Sequence, residues 1–291
     1  MPSLDEILKE MSGTPSPLDV IRKKYIKELN DYTNRETIVY FSGFLNNCTT
    51  NVDINDSDMN GFMNVLYGME TSKGLDLLLH TPGGSPTAAE SIVNYLRKFF
   101  DENIRVIVPH LAMSAGTMIA CSAKDIIMGK QSSLGPIDPQ INGVPAYNII
   151  REFEEAKNDL NKGINVLYWK IRLSNYPQSF IYFCQNAISL SEKLTREWLS
   201  TGMFKGKPEE QVKIDKILSA LNENEQSLNH GRHFNADFCK KLGLNIVNLE
   251  DDDKFQDLVL SIYHAETLTI SNTNCSKIIE TANKQYTCIQ K

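Results

Sequence analysis

Two short turns of this chain carry residue types suited to acyl chemistry. In the first, Gly83 and Gly84 follow an apolar run that ends at His80. In the second, Ser114 lies in the sequence Ala-Met-Ser-Ala-Gly, after another apolar run. Glycines let the backbone turn tightly and aim its N–H groups at a ligand, and small residues around a serine allow a sharp elbow that exposes the hydroxyl. A serine and nearby N–H donors are the groups that attack a carbonyl and stabilise the oxyanion.

Each turn also has an ordinary structural interpretation. Pro-Gly-Gly commonly ends a strand, and a serine at a helix start is commonly its N-cap. The presence of both turns favours the functional interpretation. Consecutive crossovers bring the carboxyl ends of parallel strands to the same sheet edge, so the two turns should lie close together. There the N–H groups of Gly84 and Ala115 could face a carbonyl attacked by Ser114. We therefore expect Gly83, Gly84 and Ala115 to be the oxyanion and substrate-binding residues.

An aspartate in a third turn could orient a general base. Asp138 lies between two prolines, about 24 residues after Ser114. One helix and one strand span about that distance and would return the chain to the sheet edge at which Ser114 lies. An aspartate between prolines is also typical of a simple turn, so the spacing alone leaves both interpretations open.

The elements that must position these residues alternate between strand and helix. From residue 36 to about 139, short apolar strands are separated by helical periods, which predicts an α/β fold with a mainly parallel, buried sheet. After residue 143 the pattern becomes largely helical. Residues 16–32 form an amphipathic helix, and residues 271–291 are expected to fray. We expect an N-terminal helical arm over 1–35, one domain over 36–270 and a C-terminal tail over 271–291.

Composition and charge limit the functions that fit this chain. It has 291 residues, of which 41% are hydrophobic and 23% charged, as is ordinary for a globular protein. The formal net charge of −6 argues against nucleic acid as a partner. There is no basic-then-apolar leader and no apolar run of about 18 residues. We expect a cytoplasmic protein without an integral membrane segment.

The cysteines and nucleotide motifs give no sign of a cofactor. Six cysteines are scattered without C-x-x-C or paired histidine spacing, which indicates neither a metal site nor a disulfide framework. Free thiols of a reducing compartment are the expectation. The sequence has no phosphate-binding G-x-x-x-x-G-K-[ST] motif. We therefore expect a function that needs neither a metal nor a cofactor.

Three motifs, in this order along the chain, resemble a known superfamily. They are HTPGG at 80–84, AMSAGT at 112–117 and SSLGPIDPQ at 132–140. They are similar to the Clp-protease/signal-peptide-peptidase superfamily, and most closely to its serine dehydrogenase proteinase branch, over roughly residues 70–270. The resemblance implies a ClpP/crotonase-like spiral of ββα units with additional helices. It also implies a serine-type peptidase (a hydrolase), a peptide or protein substrate, and a homo-oligomer.

The resemblance further implies a triad in the chain order serine, aspartate, histidine. On this chain the nucleophile is Ser114 and the acid is Asp138, whereas the identity of the base stays open. His230, followed by Gly231, is closer to the His-Gly pattern of the branch, and His233 is the alternative base. The signal-peptide peptidases use a serine-lysine dyad instead, because a desolvated lysine can lose its proton. Such a lysine would have to be one of Lys130, Lys157, Lys162 and Lys170.

Two other functions stay open on the sequence alone. A crotonase-like acyl-CoA enzyme would use a similar spiral and a similar pair of N–H donors, but would not need Ser114. A non-catalytic oligomeric binding module of the same fold would need no triad. Labelling of Ser114 by a fluorophosphonate, stabilisation by CoA, or neither result would distinguish the three functions.

Overall fold

The computed structural model describes residues 17–46, 48, 50–222 and 230–289. The first 16 residues of the expected N-terminal arm and the last two of the expected C-terminal tail lie outside this described part. The same holds for residues 223–229, which precede His230.

A seven-stranded sheet lies at the centre of the fold. Its strands are β1 (Glu36–Ser42), β2 (Leu75–His80), β3 (Ile104–Val108), β5 (Asp125–Met128), β10 (Ile246–Asn248), β11 (Cys275–Glu280) and β12 (Gln285–Ile289). In space they lie in the order β10-β5-β3-β2-β1-β11-β12. The first five strands in this order are mutually parallel, whereas β11 and β12 pair antiparallel with their neighbours. The predicted α/β fold with a mainly parallel sheet is confirmed.

Helices pack on both faces of this sheet, and the described residues contain ten helices in all. They are α1 (Pro17–Thr33), α2 (Asp58–Leu66), α3 (Pro86–Phe100), α4 (Ala115–Cys121), α5 (Ala146–Asn161), α6 (Val166–Leu173), α7 (Phe180–Thr201), α8 (Glu210–Asn222), α9 (Ala236–Leu242) and α10 (Asp253–Asn272). Thr71–Lys73 and Leu249–Asp251 are short 3-10 turns. None of the helices in the described residues combines the length and the apolar character needed to cross a membrane.

The strand residues point alternately into two apolar cores. Leu77 and Leu79 of β2 pack in the larger core, which also contains side chains of α2, α3 and α4. Leu78 packs in the second core, together with side chains of α1 and α10. Because successive strand residues face opposite sides, both faces of an interior strand need apolar residues. This explains why Leu77, Leu78 and Leu79 of β2 are all apolar.

A second, small sheet gathers the chain around the three sequence motifs. Its strands are β4 (Leu111–Ala112), β6 (Ser133–Leu134) and β9 (Phe234–Asn235), in the spatial order β4-β6-β9. β4 and β6 run parallel, and β6 and β9 run antiparallel. A separate hairpin follows β6 and consists of β7 (Gln140–Ile141) and β8 (Val144–Pro145). The small sheet therefore brings segments near residues 114, 138 and 230 together, although they are far apart in sequence.

The expectation that residues 271–291 fray is wrong for the described residues of that segment. All six residues of β11 are buried, and the strand pairs with β1 on one side and with β12 on the other. The apolar pattern of the sequence does not predict this strand, because two of its buried side chains, Lys277 and Glu280, are charged. Each is paired with a buried partner of opposite charge, Lys277 with Asp58 and Glu280 with Arg22.

Candidate active site

The Gly83-Gly84 turn and the Ser114 turn are in direct contact. The Thr81 N–H donates to the Leu111 carbonyl at 3.0 Å, and the Met113 N–H donates to the Thr81 carbonyl at 3.1 Å. A Cβ placed on Gly83 would lie 2.7 Å from both the Met113 carbonyl oxygen and the Ser114 Cβ. Backbone hydrogen bonds therefore lock the two turns together at one edge of the main sheet.

Ser114 has the backbone of a sharp elbow and not that of an N-cap. Its φ of 52° and ψ of −117° lie outside the regions that non-glycine residues favour. Its side chain makes no capping hydrogen bond to α4, although it precedes that helix. Strained serines of this kind occur at nucleophile elbows, where the turn presents the hydroxyl to a ligand. Ser114 is half-buried, so its hydroxyl can be reached from the cavity beside it.

Two backbone N–H groups beside Ser114 are available to a ligand. Gly83 and Gly84 have φ values of 101° and 147°, which side chains rarely permit. Within the described residues, the N–H groups of Gly84 and Ala115 have no hydrogen-bond acceptor. The Ala115 N–H is an unsatisfied donor because it belongs to the first turn of α4. Two such donors next to a hydroxyl could bind an oxyanion.

Asp138 holds an imidazole through a short hydrogen bond. Its carboxylate is fully buried, and Oδ1 lies 2.7 Å from Nδ1 of His230. The other carboxylate oxygen, Oδ2, accepts from Nε2 of Gln140 at 2.8 Å. Pairing of β6 with β9 brings the His230 segment to Asp138. With Nδ1–H directed at the carboxylate, Nε2 of His230 is the ring nitrogen that could act as an acceptor.

One cavity of about 970 Å³ joins these groups. Ser114, Gly84 and His230 all line it. Its apolar wall is formed by Met118, Ile137, Phe180, Phe183 and Leu190. Within the described residues, Ser114 Oγ makes no hydrogen bond to His230, whose ring is bonded to Asp138.

The other candidate bases lie away from this cavity. His233 is exposed, and it does not line the cavity. The four lysines considered from the sequence are also exposed and, within the described residues, none of them lines the cavity: Lys130, Lys157, Lys162 and Lys170. His230 is thus the candidate that shares a cavity with Ser114, and its role as base stays a prediction.

Two further histidines, His80 at the end of β2 and His110 just after β3, stack on each other next to the two turns. The rings of His80 and His110 are parallel, with centroids 5.6 Å apart. The Leu111 N–H donates to Nδ1 of His80 at 3.3 Å, and Nδ1 of His110 lies 2.9 Å from the Tyr263 hydroxyl. Burial, together with His110, lowers the pKa of His80 to about 3. A neutral His80 that accepts at Nδ1 holds the backbone before the Ser114 turn.

Two residues that support this site, Gln140 and Ile54, could not be assigned that role from the sequence. Gln140 is the last residue of the SSLGPIDPQ motif, but its contact with Asp138 has no signal of its own in the sequence. Ile54 contacts Gly83 and Gly84 from a loop that no motif marks. Among the described residues, no group of three or more His, Cys, Asp or Glu side chains could hold a metal ion.

Comparison with known proteins assigns the chain to a family. A family model described as "ClpP-like SDH-type serine proteinase" matches residues 14–167. The chain belongs to the ClpP-like SDH-type serine proteinase family. This confirms the family and the ClpP-like fold expected from the three motifs.

Relatives of this SDH-type proteinase chain match only parts of it. An uncharacterized protein of Methanocaldococcus jannaschii is 33% identical over 171 residues, which are 57% of this chain and 59% of that protein. A second uncharacterized protein of that organism is 44% identical over 79 residues, 27% of either chain. The chain thus spans less than two thirds of the length of these curated relatives. Among solved structures, a ClpP1 mutant from Listeria monocytogenes is 14% identical with a TM-score of 0.37, covering 77% of this chain and 98% of that one.

Proposed function

We propose that this protein is a serine peptidase that hydrolyses peptide bonds through an acyl-enzyme on Ser114. One observation carries the proposal: Ser114 lines a single cavity with Gly84 and with a histidine that is hydrogen-bonded to a buried aspartate. Family membership supports it independently. Neither a CoA site nor a non-catalytic role would require the strained backbone at Ser114.

Acylation follows from the positions of these groups. Ser114 Oγ attacks the carbonyl carbon of a bound peptide while Nε2 of His230 takes the hydroxyl proton. The carbonyl oxygen becomes an oxyanion that faces the N–H groups of Gly84 and Ala115. Asp138 keeps the imidazole in the required tautomer and stabilises its protonated form. The C–N bond then breaks, His230 gives its proton to the leaving amine, and an ester remains on Ser114.

Deacylation uses the same groups in reverse order. A water molecule gives its proton to His230 and attacks the ester carbonyl, and the N–H donors again bind the oxyanion. The C–O bond to Ser114 breaks, His230 returns the proton to Oγ, and the carboxylic acid product leaves. The apolar wall of the cavity favours a peptide that brings an apolar side chain to this site.

We also propose that the protein forms homo-oligomers through α6 and the start of α7. Large apolar side chains are exposed there, namely Val166, Leu167, Tyr168, Ile171, Tyr182 and Phe183. Such a concentration is unusual on a monomer and typical of an interaction surface. Leu167→Asp places a charge on this surface and should reduce the sedimentation coefficient. The matched control is Val212→Asp on α8, which lies outside the surface and should leave the coefficient unchanged. The two side chains are almost equally exposed, Leu167 at 71% and Val212 at 70%. An unchanged coefficient in both variants would contradict this surface.

Covalent labelling tests the peptidase proposal directly. A fluorophosphonate should label Ser114, and Ser114→Ala should lose both the label and the hydrolysis of peptide substrates. His230→Ala should lower turnover by roughly a thousandfold, while His233→Ala should leave it nearly intact. Absence of labelling together with thermal stabilisation by CoA would instead indicate acyl-CoA chemistry. Equal effects of the two histidine substitutions would refute the assignment of the base.

A further inference from the structure

The backbone of Ile54 packs against the Gly83-Gly84 turn on the side away from Ser114 and is hydrogen-bonded to residues on both sides of Gly84. The Ile54 N–H donates to the Gly83 carbonyl at 2.7 Å, and the Ser85 N–H donates to the Ile54 carbonyl at 2.9 Å. A Cβ on Gly84 would lie 2.4 Å from the Ile54 carbonyl oxygen. The Ile54 backbone therefore fits against Gly84 without space between them.

This contact sets the direction of the Gly84 N–H. The Gly83 carbonyl and the Gly84 N–H belong to the same peptide unit, and in a planar trans peptide these two groups point in opposite directions. No peptide bond of the described residues is cis. Because the Gly83 carbonyl points at Ile54, the Gly84 N–H points away from it. Gly84 lines the cavity beside Ser114, where this N–H finds no protein acceptor within the described residues.

A buried ion pair in turn anchors the residues on both sides of Ile54. Nζ of Lys277 donates to Oδ1 of Asp58 at 2.6 Å and to the Asp53 carbonyl at 2.7 Å. The Asn55 N–H donates to Oδ2 of Asp58 at 3.0 Å. Lys277 and Asp58 are both completely buried. Lys277 therefore holds Asp53 directly and Asn55 through Asp58.

A charged pair is an expensive way to fill this space, because burying two charges costs about as much as their attraction returns. In proteins generally, replacing a buried ion pair by well-packed apolar side chains of similar volume is often neutral or stabilising. What apolar side chains cannot do is hold two particular backbone groups in fixed directions. An ammonium group with three N–H bonds can donate to a carboxylate and to a carbonyl at the same time.

We propose that Lys277 is a positioning residue that aims the Gly84 N–H at the oxyanion, through Asp58 and the Asp53–Asn55 segment. This inference rests on the proposed peptidase function and deepens it. It gives β11 a role in the active site, although that strand lies outside the residues matched by the family model.

The test removes the ion pair without leaving a lone charge in the core. Lys277→Met/Asp58→Asn should lower kcat by about 10- to 100-fold, the effect of a misplaced oxyanion donor, with KM changed less than about twofold. The matched control is Glu280→Gln, which disrupts the other buried ion pair of β11 but contacts nothing in residues 53–55. Its kcat should stay within about twofold of the wild type at a temperature where both variants are folded.

Amide hydrogen exchange gives a readout that does not depend on activity. Exchange of the Ile54 N–H should be at least about tenfold faster in the double variant than in Glu280→Gln, because local opening of its bond to the Gly83 carbonyl becomes easier. If the double variant does not fold, Lys277→Arg keeps a cation beside Asp58 but replaces the compact ammonium by a planar guanidinium, and it should change kcat and exchange in the same directions.

The outcomes separate this inference from the function on which it rests. Suppose that Ser114→Ala is inactive but that Lys277→Met/Asp58→Asn keeps the kcat of the wild type. That result would overturn the inference and leave the peptidase proposal intact. Full turnover by Ser114→Ala would overturn both. Faster Ile54 exchange without loss of kcat would also overturn the inference, since the turn would then be loosened without consequence for catalysis.

Discussion

Gly83 approaches Ser114 so closely that a methyl group on Gly83 would lie 2.7 Å from the Ser114 Cβ. Real Cβ atoms do not come this near to another carbon, and the neighbouring atoms are backbone groups of Met113 and Ala115, which cannot move aside cheaply. The φ of 101° at Gly83 adds a second reason why only glycine fits. The two turns can thus lie this close together only because Gly83 has no side chain.

The substitution Gly83→Ala should therefore separate the turns and abolish activity. We expect kcat/KM to fall at least about 100-fold, because a shift of about 1 Å misaligns the donor and the nucleophile. Gly206→Ala is the matched control: its φ of 66° is also positive, but nothing lies within 4 Å of its Cβ. It should cost about 1 kcal/mol of stability through backbone strain alone and keep full activity. A Gly83→Ala enzyme with near wild-type kcat/KM would contradict the close contact.

Gln140 should matter for catalysis through its hydrogen bond to Asp138. Gln140→Met removes the donor to Oδ2 and leaves the carboxylate with His230 as its remaining side-chain partner among the described residues. A hydrogen bond to a charged group is worth about 1.5–3 kcal/mol, so kcat should fall about tenfold or more as the carboxylate turns away. Steady-state kinetics would measure this.

The control for Gln140 is Gln131→Met. The Gln131 amide donates to the Pro109 carbonyl at 3.0 Å and does not contact Asp138. Loss of that bond should affect stability and leave kcat unchanged. Equal kcat in the two variants would mean that Asp138 needs no second partner.

The sequence predicts the strand–turn–helix units of residues 36–139 well because their signal is local. Apolar runs such as Leu75–His80 and the glycines after them occur within single windows of the chain. The small sheet has no such local signal, since strands of two residues such as Ser133–Leu134 are too short to have a periodicity. The strand β11 also lacks a clear local signal, because its buried Lys277 and Glu280 interrupt the apolar pattern.

The choice between His230 and His233 shows a different limit of sequence reasoning. The two histidines are three residues apart, and both lie in one short polar segment. What distinguishes them is the antiparallel pairing of Leu134 with Phe234, a contact across about 100 residues. The turn before that pair lets His230 reach Asp138, whereas His233 stays exposed. Long-range register of this kind is not encoded in the spacing of residue types.

His80 should make the protein less stable as the pH falls from about 6.5 towards 3. Its folded-state pKa of about 3 lies below its ordinary value of 6.5, chiefly because of burial. Between these values the unfolded chain binds a proton that the folded protein does not, so the free energy of unfolding rises with pH there. The contribution is about 1.4 kcal/mol per pH unit, or about 2 kcal/mol lost at pH 5.

The variant His80→Asn isolates this contribution. Asparagine keeps an acceptor near Nδ1 for the Leu111 N–H but does not titrate, whereas neighbouring His110 titrates in both proteins. Urea unfolding at pH values from 4 to 7 should give a shallower dependence for the variant. Parallel curves would show that His80 is not held neutral in the folded state.

Two buried carboxylates share one guanidinium where α1 packs on α10 and β11. Nε of Arg22 lies 2.8 Å from Oε1 of Glu280 and 3.6 Å from Oε2 of Glu266. All three side chains are almost completely buried. Burial and the neighbouring Glu280 raise the pKa of Glu266 well above its ordinary value of 4.5. Of the two carboxyl groups, Glu266 is therefore the one whose protonated form its surroundings favour.

Glu266→Gln should therefore stabilise the protein at neutral and alkaline pH. The folded-state pKa is raised, so the stability linked to this proton is complete below about pH 4.5 and is lost as the pH rises through the folded-state pKa. Glutamine has the shape of the protonated acid and needs no proton, so the advantage of the variant should grow with pH. Arg22→Met, in contrast, leaves Glu280 without its nearest cation and should cost about 3–5 kcal/mol. Urea unfolding between pH 6 and 9 would measure both, and a Glu266→Gln variant that is less stable than the wild type throughout would show that Glu266 is ionised beside Arg22.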